Sequence, residues 1–497
     1  MTSFEEFKVL CSGGNVVPVH EVLSADMETP VSVYRSIRRE SPYSFLLESI
    51  EGGEFIARYS FLGFDPFMKC SIKGKSLSIE TFHEDVRVLP SLVNSADPPL
   101  ESLKTLFGHI RAVSIPGLPR LTGGAVGYFG YECAGLVEDV PPAAVDELSI
   151  PDAVLLFYDS ILVFDNLKRQ IVLISNAYIS DPSMNDALLR REYDKAVSGI
   201  GRLKELLRER AHHHDGSKDA SFDPPVHGLS REEYCSLVQR AKEYITDGDV
   251  FQVVLSQRIR QKARVDGFDL YRNLRMVNPS PYMYFLQMKD IAVIGSSPEM
   301  LVRVEDGVVQ TRPIAGTRRR GETKEEDQKL EKELLSDSKE RAEHLMLVDL
   351  GRNDLGRICD FGTVEVTQLM QVERYSHVMH MVSNIRGTLR EEVSPIDALF
   401  SCFPAGTLTG APKIRAMEII AECEPVRRGV YGGAIVYIDF SGNLDSCIAI
   451  RTILAKGEEL FFQAGAGIVF DSLPDREFDE TLEKLAANLR ALEMLMQ

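Results

Sequence analysis

Apolar residues recur along the chain at two periods, and the switches between them predict where strands and helices fall. Alternating or continuous apolar runs at 44–49, 153–158, 250–255, 291–295 and 460–469 predict strands, with Gly465 and Gly467 expected to break the last. A 3.6-residue period predicts helices over 31–40, over 190–210, and from a capping box at Ser230 and Glu233 as far as Asp247. A terminal helix follows, with Pro474 in its first turn and Leu482, Leu485, Leu489 and Leu492 on one face. The stretch 335–354 is also helical by pattern, with Asp337 and Glu340 at its start and Gly351 expected to end it. One residue violates that pattern. Glu343 shares the apolar stripe of Met346, Leu347 and Leu350, while Arg341 and His344 are expected to point elsewhere.

An inward glutamate must be protonated, paired or bound to a cation, because leaving it charged and alone costs several kcal/mol or more. It is therefore either the partner of a core arginine or a metal ligand, and the second option requires another carboxylate. Glu477, Asp479 and Glu480 crowd the start of the terminal helix, where they either compensate the helix dipole or supply that carboxylate. Gln252 alternates with apolar neighbours in its strand, as a core hydrogen-bonder or a pocket group. Glu299 falls just beyond the buried strand at 291–295.

Residues 1–210 read as an α+β region, 211–228 as a polar, Pro/Gly-containing linker or surface loop, and 229–497 as a second region without internal repeats. His212 to His214 could bind metal but fit a solvated loop more simply. The glycines at 123–130 lack the spacing of a dinucleotide fingerprint. The run 403–413 does not match GxxxxGK[ST], and Pro412 removes an N–H that a phosphate cradle needs, which excludes a nucleotide triphosphatase.

Composition narrows the class further. With 497 residues, 44% hydrophobic and 26% charged, the chain is an ordinary globular sequence long enough for two or three domains. A net charge of −18 argues against nucleic acid or membrane surfaces as partners. Eight cysteines without a CxxC pair argue for a reducing compartment and against structural zinc. The acidic N-terminus has no apolar h-region and no run of eighteen apolar residues occurs, so a cytoplasmic protein is expected.

Taken in order, LLES (46–49), PYM (281–283), GSSPE (295–299), RPIAGTRRRG (312–321), AEHLMLVDLGRNDLGRIC (342–359), VMH (378–380), GTLTGAPKIRAME (406–418), YGGA (431–434), IRT (450–452), QAGAG (463–467) and DE (479–480) resemble the component I family of anthranilate synthases, among the chorismate-utilising enzymes. The resemblance implies an α+β fold, a large two-part body of antiparallel sheets flanked by helices. It implies a carbon–oxygen lyase that takes chorismate and ammonia to anthranilate and pyruvate, the first committed step of tryptophan biosynthesis. It also implies Mg²⁺ on Glu343 and Glu480, and chorismate contacts from Gly316, Thr317, Tyr431, Arg451, Gly465, Ala466 and Gly467. Glu299 occupies the general-acid position, and His380, Thr407 and Gln252 belong to the same catalytic site. Ser49, Pro281, Tyr282 and Met283 match a tryptophan-inhibitor site, which the N-terminal region helps to build. A separate glutamine amidotransferase (glutaminase) component II, forming a hetero-oligomer, is implied as the ammonia source.

Two positions separate members of the family. Aminodeoxychorismate synthases carry a nucleophilic lysine where this chain has Ala315, and isochorismate and salicylate synthases place a lysine base at the position aligned with Gln252. Both differences favour anthranilate. The alternatives are aminodeoxychorismate synthase component I and a non-catalytic tryptophan-sensing subunit.

Overall fold

The computed structural model describes residues 1–49, 58–83, 91–93, 96–143, 145–180, 185–208, 220–375 and 378–496. Two large antiparallel sheets, of 13 and 11 strands among the described residues, pack face to face with helices on their outer sides. The first runs from Val16–Ser24 through three more N-terminal strands to Tyr43–Glu48. It then crosses to Tyr282–Met288 and continues through Ile291–Ser297, Thr452–Lys456 and Glu459–Ile468 to Gln252–Arg264. The second runs from Ile314–Arg319 and Val378–Thr388 to Leu444–Ile448 and Ala434–Asp439, then through Gly124–Phe129 to Ser76–Thr81.

Strands from both sides of 211–228 thus share both sheets. Met283 is registered with Glu48, and Val436 with Gly127. The division at 211–228 is one of sequence order, not of sheets. Within it, Ser221–Phe222 and Val226–His227 add short pairings to Gln252–Arg264, while His212 to His214 lie outside the described residues.

Apolar side chains of the two inner faces meet in one core, which includes Phe45, Val163, Tyr284 and Leu454 from the first sheet and Val126, Leu156, Ile435 and Tyr437 from the second. The first sheet's outer face is covered by Pro30–Glu40, Asp186–Arg208, Gly267–Val277 and Pro474–Glu493. Arg231–Thr246, Pro395–Cys402 and Lys413–Cys423 cover a further core that reaches the second sheet. The terminal helix buries Phe478, Leu485 and Leu492, with Leu482 and Leu489 partly covered, as its 3.6-residue stripe requires. Arg231–Thr246 starts at the expected capping box, Ser230 accepting from the Glu233 N–H and Glu233 reaching back to the Ser230 N–H. Among the described residues, no helix is long and apolar enough to cross a membrane.

Three local expectations are corrected. Glu459–Ile468 is continuous: Gly465 and Gly467 hold their places in the ladder, opposite Ser256 and Val254. The helix at Glu343 spans Ser338–Gly356 and runs through Gly351, where a Cβ would come within 2.8 Å of Ile385 Cδ1, so glycine there permits helix-to-sheet packing. His344 is fully buried, its Nε2 2.6 Å from the Ser383 hydroxyl, and so belongs to the packed face. Asp337 does cap this helix, accepting from the N–H groups of Lys339 and Glu340.

Candidate active site

A cleft of about 400 Å³ opens where the last strands of both sheets meet three helices. One wall is the pair Gln252–Arg264 and Glu459–Ile468, from which the alternate residues Gln463, Gly465 and Gly467 line the cleft. Glycine allows close approach at both positions. A Cβ at 467 would sit 2.5 Å from Gln252 Nε2, and one at 465 would sit 2.8 Å from Tyr431 Oη. The facing wall is Ile314–Arg319 against Val378–Thr388. Its ladder shifts between Ala315 and Thr317, and Gly316 takes a φ of 79°. That shift aligns Thr317 with His380, whose Nδ1 lies 2.9 Å from Thr317 Oγ1.

Glu299 follows Ile291–Ser297, and its own carbonyl accepts the Ile448 N–H at 3.0 Å. Burial pushes its carboxyl up to about 7, against smaller opposing pulls from the Thr407 hydroxyl, 3.0 Å away, and from Lys484. Burial holds His380 below the usual imidazole range, although the Gly316 backbone pulls the other way, so the ring is neutral at pH 7. Glu299 is therefore a carboxyl poised near neutrality in a cleft whose histidine is uncharged. Arg451 has a φ of 51°, a backbone region that costs a non-glycine residue roughly 1 kcal/mol or more. That conformation places the arginine in the cleft, with Nη1 donating to the Lys484 carbonyl at 3.2 Å.

Glu343 lines the same cleft. Burial raises its pKa, Gln252 Nε2 at 3.5 Å opposes this, and Glu340 and Glu480 push it further up. Among the described residues no lysine or arginine forms an ion pair with Glu343, so it is not the partner of a core arginine. The terminal helix contributes Glu477, Glu480 and Lys484. Glu480 pairs with Lys484 at 2.7 Å, and burial raises the pKa of Glu477. No cluster of three or more metal-ligating side chains occurs among the described residues. A cation here would draw on two carboxylates that line the cleft, Glu343 and Glu480, with water or ligand oxygens completing its shell. That hard-oxygen set suits Mg²⁺, which binds through one or two carboxylates and keeps several waters.

Of the residues singled out from sequence, Gln252, Glu299, Thr317, Glu343, His380, Thr407, Tyr431, Arg451, Gly465, Gly467 and Glu480 line this one cleft. Ala466 does not: its methyl is fully buried in the core. Gly316 also stands outside the lining and acts on the cleft through its backbone at His380. Sequence reasoning missed Lys484, which donates to the Gly465 carbonyl at 2.9 Å, and Gln463, which Arg258 holds through two hydrogen bonds to its Oε1. Lys484 was readable, since it stands one helical turn beyond Glu480 on the same face.

A second, smaller pocket lies between the sheets. Tyr43–Glu48 pairs with Tyr282–Met288, which sets Ser49 beside Pro281, Tyr282 and Met283. The Ser49 hydroxyl is buried with no hydrogen-bond partner among the described residues. Tyr282 donates to Asp445 Oδ1 at 3.0 Å, and Arg303 and Arg120 pair with Asp445 Oδ2 at 2.8 and 3.1 Å.

Residues 42–490 match the family described as chorismate binding enzyme. The anthranilate synthase component 1 of Acetivibrio thermocellus is 49% identical over 99% of this chain and 98% of its own length. That of Pseudomonas aeruginosa is 46% identical over 99% of both. The crystal structure of anthranilate synthase component I from Streptococcus pneumoniae TIGR4 superposes with a TM-score of 0.75 at 37% identity, covering 88% of this chain and 93% of that one. The menaquinone-specific isochorismate synthase of Escherichia coli shares the fold, with a TM-score of 0.69 at 18% identity over 100% of this chain and 99% of that one. The chain belongs to the anthranilate synthase component 1 family of chorismate binding enzymes.

Proposed function

We propose that the chain aminates chorismate at ring C2 and then eliminates pyruvate to give anthranilate. The observation that carries this reading is the Glu299 carboxyl, pushed up to about 7 beside the Thr407 hydroxyl, in a cleft that also holds Arg451. A carboxyl still protonated near neutral pH can give its proton to the departing C4 hydroxyl, which leaves as water while ammonia bonds to C2. In the second step C2 loses a proton, the C3–O bond breaks, and the enolpyruvyl group departs to become pyruvate. The neutral ring of His380, which lines the cleft, is the base this reading assigns to that proton. Arg451 offers a rigid donor fork to a substrate carboxylate, and Gly465 and Gly467 leave room for the ring against the strand. Glu343 and Glu480 would hold Mg²⁺, which supplies a positive charge for the ring carboxylate. Ala315 and Gln252 support amination by free ammonia, since neither can act as a lysine nucleophile or base.

The reading extends to a glutaminase component II that delivers ammonia, to a hetero-oligomer in the cytoplasm, and to feedback inhibition by tryptophan at Ser49, Pro281, Tyr282 and Met283. The Ser49 hydroxyl, buried and without a partner among the described residues, supports a polar ligand in that pocket. Incubating the purified chain with chorismate, Mg²⁺ and an ammonium salt tests the core of the proposal. Fluorescent anthranilate with equimolar pyruvate is expected; aminodeoxychorismate as the product, or no turnover, would overturn it.

A further inference from the structure

Directly behind the cleft lies a buried ion pair, with 1% of the Arg428 side chain and 3% of the Glu424 side chain exposed. Arg428 is the bulkiest of the fully buried side chains, and its guanidinium donates to Glu424 from Nε at 2.8 Å and from Nη2 at 2.6 Å. Such a pair contributes little net stability, because desolvating both charges offsets their attraction. Its distinctive property is direction: a planar fork held on one side has fixed donors on the other.

Those donors reach two walls of the cleft. Nη1 donates to the Leu408 carbonyl at 2.7 Å and Nη2 to the Val254 carbonyl at 2.8 Å, and both residues line the cleft. Leu408 lies in the one-turn helix Gly406–Thr409, which is too short to satisfy its own last carbonyls or to be stable alone. The residue before it is Thr407, which donates to Glu299. The groups facing the guanidinium are Glu424 and the rings of Tyr131 and Tyr431, at 4.6 and 5.6 Å. Glu424 is itself held by the N–H and hydroxyl of Ser256, each at 2.8 Å, and the Arg428 N–H donates to Glu132.

We propose that Arg428 is a positioning residue: clamped by Glu424, it fixes the Leu408 carbonyl and so keeps the Thr407 hydroxyl on Glu299. The proposal rests on the general-acid reading of Glu299. Glu299 is faced by Thr407 from the one-turn helix and by Lys484 from the terminal helix, and only the first depends on Arg428. Because the Thr407 bond lowers the Glu299 pKa, loosening it moves the limb of the kcat profile that needs protonated Glu299 to higher pH.

The test compares wild type, Arg428→Lys, Thr407→Val and the double variant, each as the full chain with Mg²⁺, chorismate and ammonium. Arg428→Lys is expected to lower kcat about tenfold or more, the size of a lost charge-assisted hydrogen bond, while KM for chorismate changes far less. Both single variants should move the same limb to higher pH, and the double should go no further than Thr407→Val alone. Multiplying effects in the double, an unmoved limb, or a loss carried by KM would overturn the proposal. If Arg428→Lys does not fold, Glu424→Gln releases the same fork and carries the same expectation against Thr407→Val. A wild-type chain that makes no anthranilate defeats the functional reading instead, so the two failures are distinguishable.

Discussion

Replacing Glu299 by glutamine keeps the side chain's volume and removes its charge, so one variant reports on both stability and chemistry. The folded protein holds this carboxyl at about 7, against an ordinary value of 4.5. Between those values the folded chain keeps a proton that the unfolded chain has released, so stability falls as pH rises through the window. Above about pH 7 the full penalty applies, a ceiling of about 3 kcal/mol since the carboxyl still borders an open cleft. Glu299→Gln carries no such penalty. Relative to wild type it should be stabilised at pH 8 and close to neutral near pH 4.5. For a chain of this length 3 kcal/mol corresponds to about 3 °C in Tm. Thermal melts of both proteins at a series of pH values read this directly. The same variant should lose about 100-fold or more in kcat if Glu299 is the general acid. A Tm difference that does not change with pH would refute the buried, protonated carboxyl, and near-normal turnover would refute its role.

Two further substitutions probe separate parts of the molecule. His380→Met should slow pyruvate loss more than amination, so an aminated, non-aromatic intermediate accumulates in quenched reactions; equal slowing of both steps without that intermediate would remove His380 from the second step. Ser49→Phe should fill the pocket beside Pro281 and Tyr282 and relieve tryptophan inhibition with kcat unchanged, and an unaltered inhibition curve would take Ser49 out of the inhibitor site.

Glu343 was legible from one helix because a carboxylate in an apolar stripe has few stable fates, and it lines the cleft with a raised pKa and Gln252 Nε2 3.5 Å away. His344 beside it was not, because hydrophobic patterning counts histidine as polar, whereas the Ser383 hydroxyl satisfies its Nε2 inside the protein. Gly351, Gly465 and Gly467 misled in the same way: glycine marks an element's end and also close approach of backbone to a neighbour, and only the neighbour distinguishes the two. The interleaving of both sheets depends on pairings such as Glu48 with Met283, which join strands far apart in sequence and leave no local signal. The left-handed backbone of Arg451, which presents its side chain, is likewise set by tertiary packing alone.

The metal part of the proposal is that Glu343 and Glu480 would together hold one cation, which would supply positive charge for the substrate's carboxylate. Titrating Mn²⁺, as a paramagnetic substitute for Mg²⁺, into the protein with chorismate measures this through the loss of free-ion signal. The account predicts one site per chain in the wild type, and loss of that site in Glu343→Gln and in Glu480→Gln while both variants remain folded. Wild-type binding in either variant would contradict it.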